Sequence, residues 1–139
     1  ADGNLNNWWT QDDYNKFEEK VQKVRAFYSQ VKLDDGKSVN GDLTVGENIA
    51  DIGGMACALD ILSKMKNPDY KAFFESNAAM WREIDTKEQE VSRLQYDRHA
   101  PNKVRNNITV AQFDKFYETY GIKQGDKMFI NPEDRVQIW

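Results

Sequence analysis

The sequence contains few of the residues on which several common protein classes depend. Of its 139 residues, one is a histidine (His99) and one is a cysteine (Cys57). The chain by itself therefore cannot form an internal disulfide, or a metal site with two histidines. It has no apolar run approaching the ~20 residues that cross a bilayer. Its 19 Lys and Arg against 23 Asp and Glu give a net charge of −4, which argues against a nucleic-acid partner.

What the sequence does contain is helical periodicity, so we predict a mainly α chain. Apolar positions and capping residues indicate helices over about 10–31, 44–66, 68–84, 86–96 and 109–120. The segment 33–43 is expected to be irregular or briefly extended. The segment 97–102 is expected to be a break, because Pro101 disfavours a helical residue before it. There is no internal repeat and no domain boundary, so residues 1–139 are treated as one segment.

The stretch Gly46–Gly54 is the most informative part of the chain. It places Glu47 and Asp51 four residues apart, a spacing that stacks both carboxylates on one helix face. Glu47 also fits a capping box opened by Thr44, which is the simpler interpretation. However, Gly53 and Gly54 cost such a helix roughly 1–2 kcal/mol. A helix that accepts this cost indicates close packing or a ligand nearby.

Residues 40–54 follow the pattern N-G-x-x-T-x-G-E-N-x-A-D-x-G-G. This long motif resembles the third-ligand helix of zinc peptidases of the neprilysin, endothelin-converting enzyme and PepO family. The resemblance implies that Glu47 is the third zinc ligand. It implies that Asp51 is the partner of a zinc-bound histidine, a residue also described as a proton donor. The implied fold is the C-terminal helical part of a thermolysin-like (gluzincin) catalytic domain.

A second segment, residues 97–105, resembles the D-x-H-x-P-x-x-x-R segment of the same family. The resemblance implies that His99 donates a hydrogen bond to the oxyanion of the tetrahedral intermediate, and that Arg105 binds a substrate carbonyl. Asp97 would orient His99 or hold it protonated. The end of the chain, from Asn131 to Trp139, is similar to the closing N-P-x-x-R-x-x-x-W of the family.

The catalytic motif H-E-x-x-H does not occur in these residues. We therefore expect residues 1–139 to be the C-terminal part of a zinc endopeptidase that hydrolyses oligopeptides. Its implied partners are a peptide substrate and the N-terminal remainder of the same peptidase. The parent enzyme would bind Zn²⁺, whereas this chain alone is expected neither to hold zinc tightly nor to cleave peptides. The resemblance favours an extracytoplasmic location, with a cytoplasmic one as the alternative.

Two other functions are compatible with parts of the pattern. One is a non-catalytic helical protein-interaction module that retains the peptidase fold; an upstream H-E-x-x-H in the parent gene would separate the two. The other is a sugar-binding module with tryptophan platforms, which predicts β-structure and is disfavoured by the helical period. The four tryptophans are expected mostly in the core. Some should be exposed where the rest of the protein would pack, which would favour self-association of the isolated chain.

Overall fold

The computed structural model describes residue 3 and residues 7–138, and helices dominate this part of the chain. The helices are α1 (Gln11–Gln30), α2 (Gly41–Ser63), α3 (Tyr70–Met80), α4 (Lys87–Tyr96), α5 (Asn102–Val110) and α6 (Asp114–Tyr120), followed by a 3-10 turn at Pro132–Asp134. An isolated antiparallel bridge joins Lys32 to Ser38. The predicted mainly α fold is confirmed. The described residues do not form the β-structure that a sugar-binding module would require.

Two of the predicted helix starts are confirmed by their caps. At α1 the Thr10 hydroxyl accepts a hydrogen bond from the backbone N–H of Asp13 at 3.1 Å, and the Asp13 carboxylate accepts from the backbone N–H of Thr10 at 3.4 Å. At α4 the Thr86 hydroxyl accepts from the backbone N–H of Gln89 at 3.2 Å. In both places a short side chain satisfies an N–H that the first helical turn leaves unpaired.

The predicted start of α2 at Thr44 is wrong. The helix begins at Gly41, and the Asn40 side chain caps it by accepting from the backbone N–H of Leu43 at 3.1 Å. Thr44 is buried inside the helix, where it donates to the Asn40 carbonyl at 2.9 Å and accepts from the Asn48 side chain at 2.9 Å. Because Thr44 is not a cap, the capping-box interpretation of Glu47 is also wrong.

Two further boundaries differ from prediction. Helix α3 is capped by Asp69 and ends at Met80, four residues short of the expected end. Residues 97–101 form the expected break, but α5 begins at Asn102 and covers 103–108, for which no helix was predicted; Thr109 lies in its last turn rather than at the start of a helix. Pro101 accounts for the start of α5. Its fixed φ suits the entry to a helix, and α5 begins directly after it.

Helix α2 lies between two clusters of buried residues and contributes to both. The first cluster joins α1 and α2 with the segment around α5 and the chain end: Val24, Tyr28, Val39, Ile52, Ala100, Val104, Val136 and Ile138. The second joins α2 with α3, α5 and α6: Met55, Leu59, Phe74, Val110, Phe116 and Tyr117. Packing against both clusters holds α2 rigidly, and Glu47 and Asp51 lie on its remaining face.

Large apolar side chains also remain at the surface. Trp8 is 83% exposed, as was expected of some tryptophans, whereas Trp9 and Trp81 are partly buried, so none of these three lies fully in the core. Trp139 lies outside the described residues. Within residue 3 and residues 7–138, no helix is long and apolar enough to cross a membrane.

Gly41 is required where α2 meets α1, and its replacement gives the first testable prediction. A Cβ at position 41 would overlap the carbonyl oxygen of Arg25 and lie 2.9 Å from the backbone nitrogen of Ser29. Gly41→Ala should therefore lower the free energy of unfolding by about 3 kcal/mol, the upper range for overpacking. Gly46→Ala is the matched control: its Cβ meets nothing within 4 Å, and the helix should gain up to about 1 kcal/mol. Urea unfolding followed by circular dichroism measures both, and equal effects would contradict the prediction.

Candidate active site

Arg105 of α5 and Asp51 of α2 form a paired salt bridge, although they lie 54 residues apart in the sequence. Nε and Nη2 of Arg105 each donate to one oxygen of Asp51 at 2.7 Å. Both side chains are only 14% exposed. These hydrogen bonds raise the pKa of the Arg105 guanidinium, against the opposing effect of burial. Such two-point binding fixes the plane of the guanidinium.

The Trp81 ring holds the same guanidinium from another side. Its centroid lies 4.1 Å from Cζ of Arg105, which is cation–π distance. Among the residues that the structure describes, Nη1 of Arg105 has no hydrogen-bond partner. Arg105 is thus oriented by Asp51 and Trp81 while one nitrogen remains available for a further acceptor.

His99 lies between two carboxylates. Its Nδ1 is 2.9 Å from Oδ1 of Asp97, and its Nε2 is 3.3 Å from Oε2 of Glu47. The backbone N–H of His99 also donates to Oδ1 of Asp97 at 2.9 Å. That backbone hydrogen bond is the main cause of the lowered pKa of Asp97, which is about 2. Burial acts in the opposite direction, and hydrogen bonds with the His99 ring and Arg93 lower the pKa further. Asp97 is therefore an ionised acceptor that orients the His99 ring towards Glu47.

Glu47 is the candidate metal ligand. Its side chain is 41% exposed, so its carboxylate is open to a group outside the described residues. In residue 3 and residues 7–138, no three side chains among His, Cys, Asp and Glu are grouped so that they could hold a metal ion. A carboxylate suits zinc. Among the described residues, Glu47 could fill one position of a zinc site, and the other ligands of such a site would have to come from outside these residues.

Two cavities flank this arrangement. One, of about 520 Å³, is lined by His99, Trp81, Arg93 and neighbouring residues. The other, of about 270 Å³, is lined by Asp51, Arg105, Trp81 and Gly54, among others. A Cβ added at Gly54 would meet nothing within 4 Å. Of the two alternatives expected for the Gly53-Gly54 helix, close packing or a nearby ligand, close packing is not formed at Gly54 within the described residues, where the glycine borders open space beside the salt bridge.

All five residues selected from the sequence lie in this one region. Asp97 contacts His99, His99 contacts Glu47, and Asp51 contacts Arg105. Sequence analysis selected neither Trp81 nor Arg93. Trp81 occupied an apolar position in a helical pattern, which gave no signal of its contact with Arg105. Arg93 could have been noticed, because it precedes Asp97 by the four residues that let helical side chains pair.

Comparisons with known proteins show which family the chain resembles. The family model described as peptidase family M13 matches residues 1–136. A neutral endopeptidase from Lactococcus lactis is 44% identical over 138 residues, covering 99% of this chain and 22% of the relative. Neprilysin-3 from Drosophila melanogaster is 30% identical over 151 residues, covering 99% of this chain and 19% of the relative.

Solved structures give the same result. A zinc metalloprotease from Mycobacterium tuberculosis, solved with an inhibitor, superposes with a TM-score of 0.88 and 32% identity, over 99% of this chain and 23% of its own. PepO from Lactobacillus rhamnosis superposes with a TM-score of 0.87 and 37% identity, covering 99% of this chain and 22% of its own. The chain thus spans about a fifth of the length of the relatives it matches. On its sequence, its helical fold and these similarities, the chain belongs to peptidase family M13.

Proposed function

We propose that this chain supplies the third zinc ligand and the carbonyl-binding residues of a zinc-dependent endopeptidase. The observation that carries the proposal is the convergence of distant residues. His99 Nε2 comes within 3.3 Å of Glu47, and Arg105 binds Asp51 through two bonds of 2.7 Å. A fold that served only as a scaffold would not require a histidine, a cation and two carboxylates to be held together in this way.

In this proposal each residue has a distinct role around the reacting carbonyl. Glu47 holds zinc together with histidines from the rest of the protein, and zinc when bound supplies an activated water. His99, oriented by Asp97, donates to the oxyanion that forms on attack. Arg105, held by Asp51 and Trp81, binds a substrate carbonyl through Nη1. The family resemblance also implies that Asp51 supports a zinc-bound histidine.

The substrate class we propose is oligopeptides, and the principal partner is the N-terminal remainder of the same peptidase. We place the enzyme outside the cytoplasm, with a cytoplasmic location as the alternative. The isolated chain is proposed to be inactive, because Glu47 alone provides no preorganised tetrahedral site. A zinc titration of the isolated chain with a nanomolar endpoint would contradict that part of the proposal.

A graft into a related enzyme tests the proposal directly. This chain would replace the matching 22% of the Lactococcus lactis neutral endopeptidase, with which it shares 44% identity. We expect the graft to bind one zinc and to hydrolyse an oligopeptide. Glu47→Gln should lower zinc affinity by more than about 100-fold, since loss of an outer-shell partner alone costs up to that much. Zinc content and peptide hydrolysis are measured on the same sample.

Glu19→Gln is the control, because Glu19 is exposed on α1 and far from the site in sequence. It should leave zinc content and hydrolysis unchanged. If Glu47→Gln also left both unchanged, Glu47 would not be a ligand. The non-catalytic interaction module would then be the better interpretation.

A further inference from the structure

Arg93, in the last turn of α4, contacts carboxylates from both ends of that helix. Its Nε donates to Oδ2 of Asp97 at 3.1 Å, directly after α4. Its Nη1 donates to Glu83 at 3.0 Å and to Asp85 at 3.5 Å, just before α4. The Arg93 side chain is 24% exposed. One guanidinium therefore ties the chain entering α4 to the chain leaving it.

Asp97 divides its two oxygens between Arg93 and His99. Oδ1 accepts from the backbone N–H of His99 and lies 2.9 Å from its Nδ1, whereas Oδ2 accepts from Arg93. A carboxylate fixed at both oxygens cannot rotate about its Cβ–Cγ bond without breaking one contact. The orientation of the His99 ring, and with it the direction of Nε2 towards Glu47, therefore depends on what holds Oδ2.

From this geometry we propose that Arg93 is a positioning residue of the peptidase reaction, acting on His99 through Asp97. The inference rests on the proposed function, because it assigns Arg93 a part in the same site. Without Arg93, three carboxylates that now share a cation would repel one another. Asp97 would turn away from Glu83 and Asp85, and the His99 ring would lose its fixed direction.

Comparison with an exposed ion pair shows why Arg93 is more than a surface contact. Lys16 and Asp12, for example, are 69% and 73% exposed and form a single contact within one helix. Such exposed pairs contribute little to stability and position no other residue. Arg93 is less exposed, binds at both ends of α4 and shares its partner Asp97 with His99.

The test uses the full-length graft described above and compares Arg93→Ala with Arg98→Ala. Arg98 is the matched control, a neighbouring arginine with an exposed side chain. We expect Arg93→Ala to lower kcat about 10- to 100-fold, the usual loss when an outer-shell partner is removed. KM and zinc content should stay the same, because the affected interaction forms only in the transition state. Arg98→Ala should leave kcat unchanged.

A double-mutant cycle with Asp97→Ala separates positioning from general structural support. If Arg93 acts through Asp97, Arg93→Ala should have little further effect on kcat in the Asp97→Ala background. Arg93→Lys should recover only part of kcat, since a single ammonium cannot span both ends of α4 as a guanidinium does. Arg93→Gln keeps most of the stem, so it takes the place of Arg93→Ala if the alanine variant does not fold.

The inference would be overturned if Arg93→Ala lowered kcat equally with Asp97 present and in the Asp97→Ala background. It would also be overturned if Arg93→Ala raised KM and left kcat unchanged. So would an unchanged kcat in Arg93→Ala. None of these results affects the proposed function, which depends on zinc and hydrolysis being lost in Glu47→Gln. Conversely, if Glu47→Gln retained both, the proposed function would fail on that variant, whatever the Arg93 cycle showed.

Discussion

Replacing His99 with alanine in the full-length graft should lower kcat by about 10²–10³-fold, the usual cost of losing one oxyanion donor. The structural basis is the direction of the ring. Nδ1 is held by Asp97 at 2.9 Å, so Nε2 projects towards the side on which Glu47 would hold zinc. In the proposed role, the donor would be in place before substrate arrives, and no reorganisation would be needed when charge develops. Steady-state hydrolysis of an oligopeptide, with zinc measured in parallel, provides the check.

Zinc content is the informative control for His99. We do not assign His99 as a ligand, so His99→Ala should retain zinc, whereas Glu47→Gln should lose it. His99→Gln keeps an N–H donor at a similar distance and should recover part of the lost kcat. Loss of zinc together with kcat in His99→Ala would mean that His99 supports the metal site, and the oxyanion assignment would then be wrong.

Removing the Asp51 carboxylate should lower stability by as much as the Gly41→Ala change. Asp51→Ala leaves the guanidinium of Arg105, only 14% exposed, without the partner that binds two of its nitrogens. Breaking one side of a buried ion pair costs about 3–5 kcal/mol. We therefore expect a loss of about 3 kcal/mol, at the lower end because the pair retains some exposure. Urea unfolding of the chain followed by circular dichroism measures it.

Two further variants show whether the loss comes from the unpaired charge. Asp12→Ala removes a carboxylate whose pair is exposed, and it should change stability by less than about 1 kcal/mol. Asp51→Leu combined with Arg105→Met removes both charges and should recover most of the stability lost in Asp51→Ala. The double variant should remain inactive in the graft. A double variant as unstable as Asp51→Ala would contradict this account.

The sequence predicted helix starts correctly where a short-range signal was strong and unique. The caps at Thr10 and Thr86 fixed the starts of α1 and α4, because the bonds involved join residues only three apart. It failed at α2, where Asn40 and Thr44 are both good caps and only packing chooses between them. Beginning the helix at Gly41 brings the backbone of α2 close to α1, a contact that local propensity does not contain.

The sequence by itself determined the membership of the chain in its family, its helical class and the five candidate site residues. It could do so because each motif lies within a short segment of fixed spacing. Only the tertiary structure decided that Asp51 binds Arg105, that Trp81 stacks on that arginine, and that Arg93 holds the carboxylate beside His99. The Asp51–Arg105 and Trp81–Arg105 contacts join separate helices, and the Arg93 cluster joins the two ends of α4. The geometry of the first two contacts follows from how the buried clusters orient the helices, which no local pattern specifies. The Arg93–Asp97 contact alone has a local signal, its four-residue spacing.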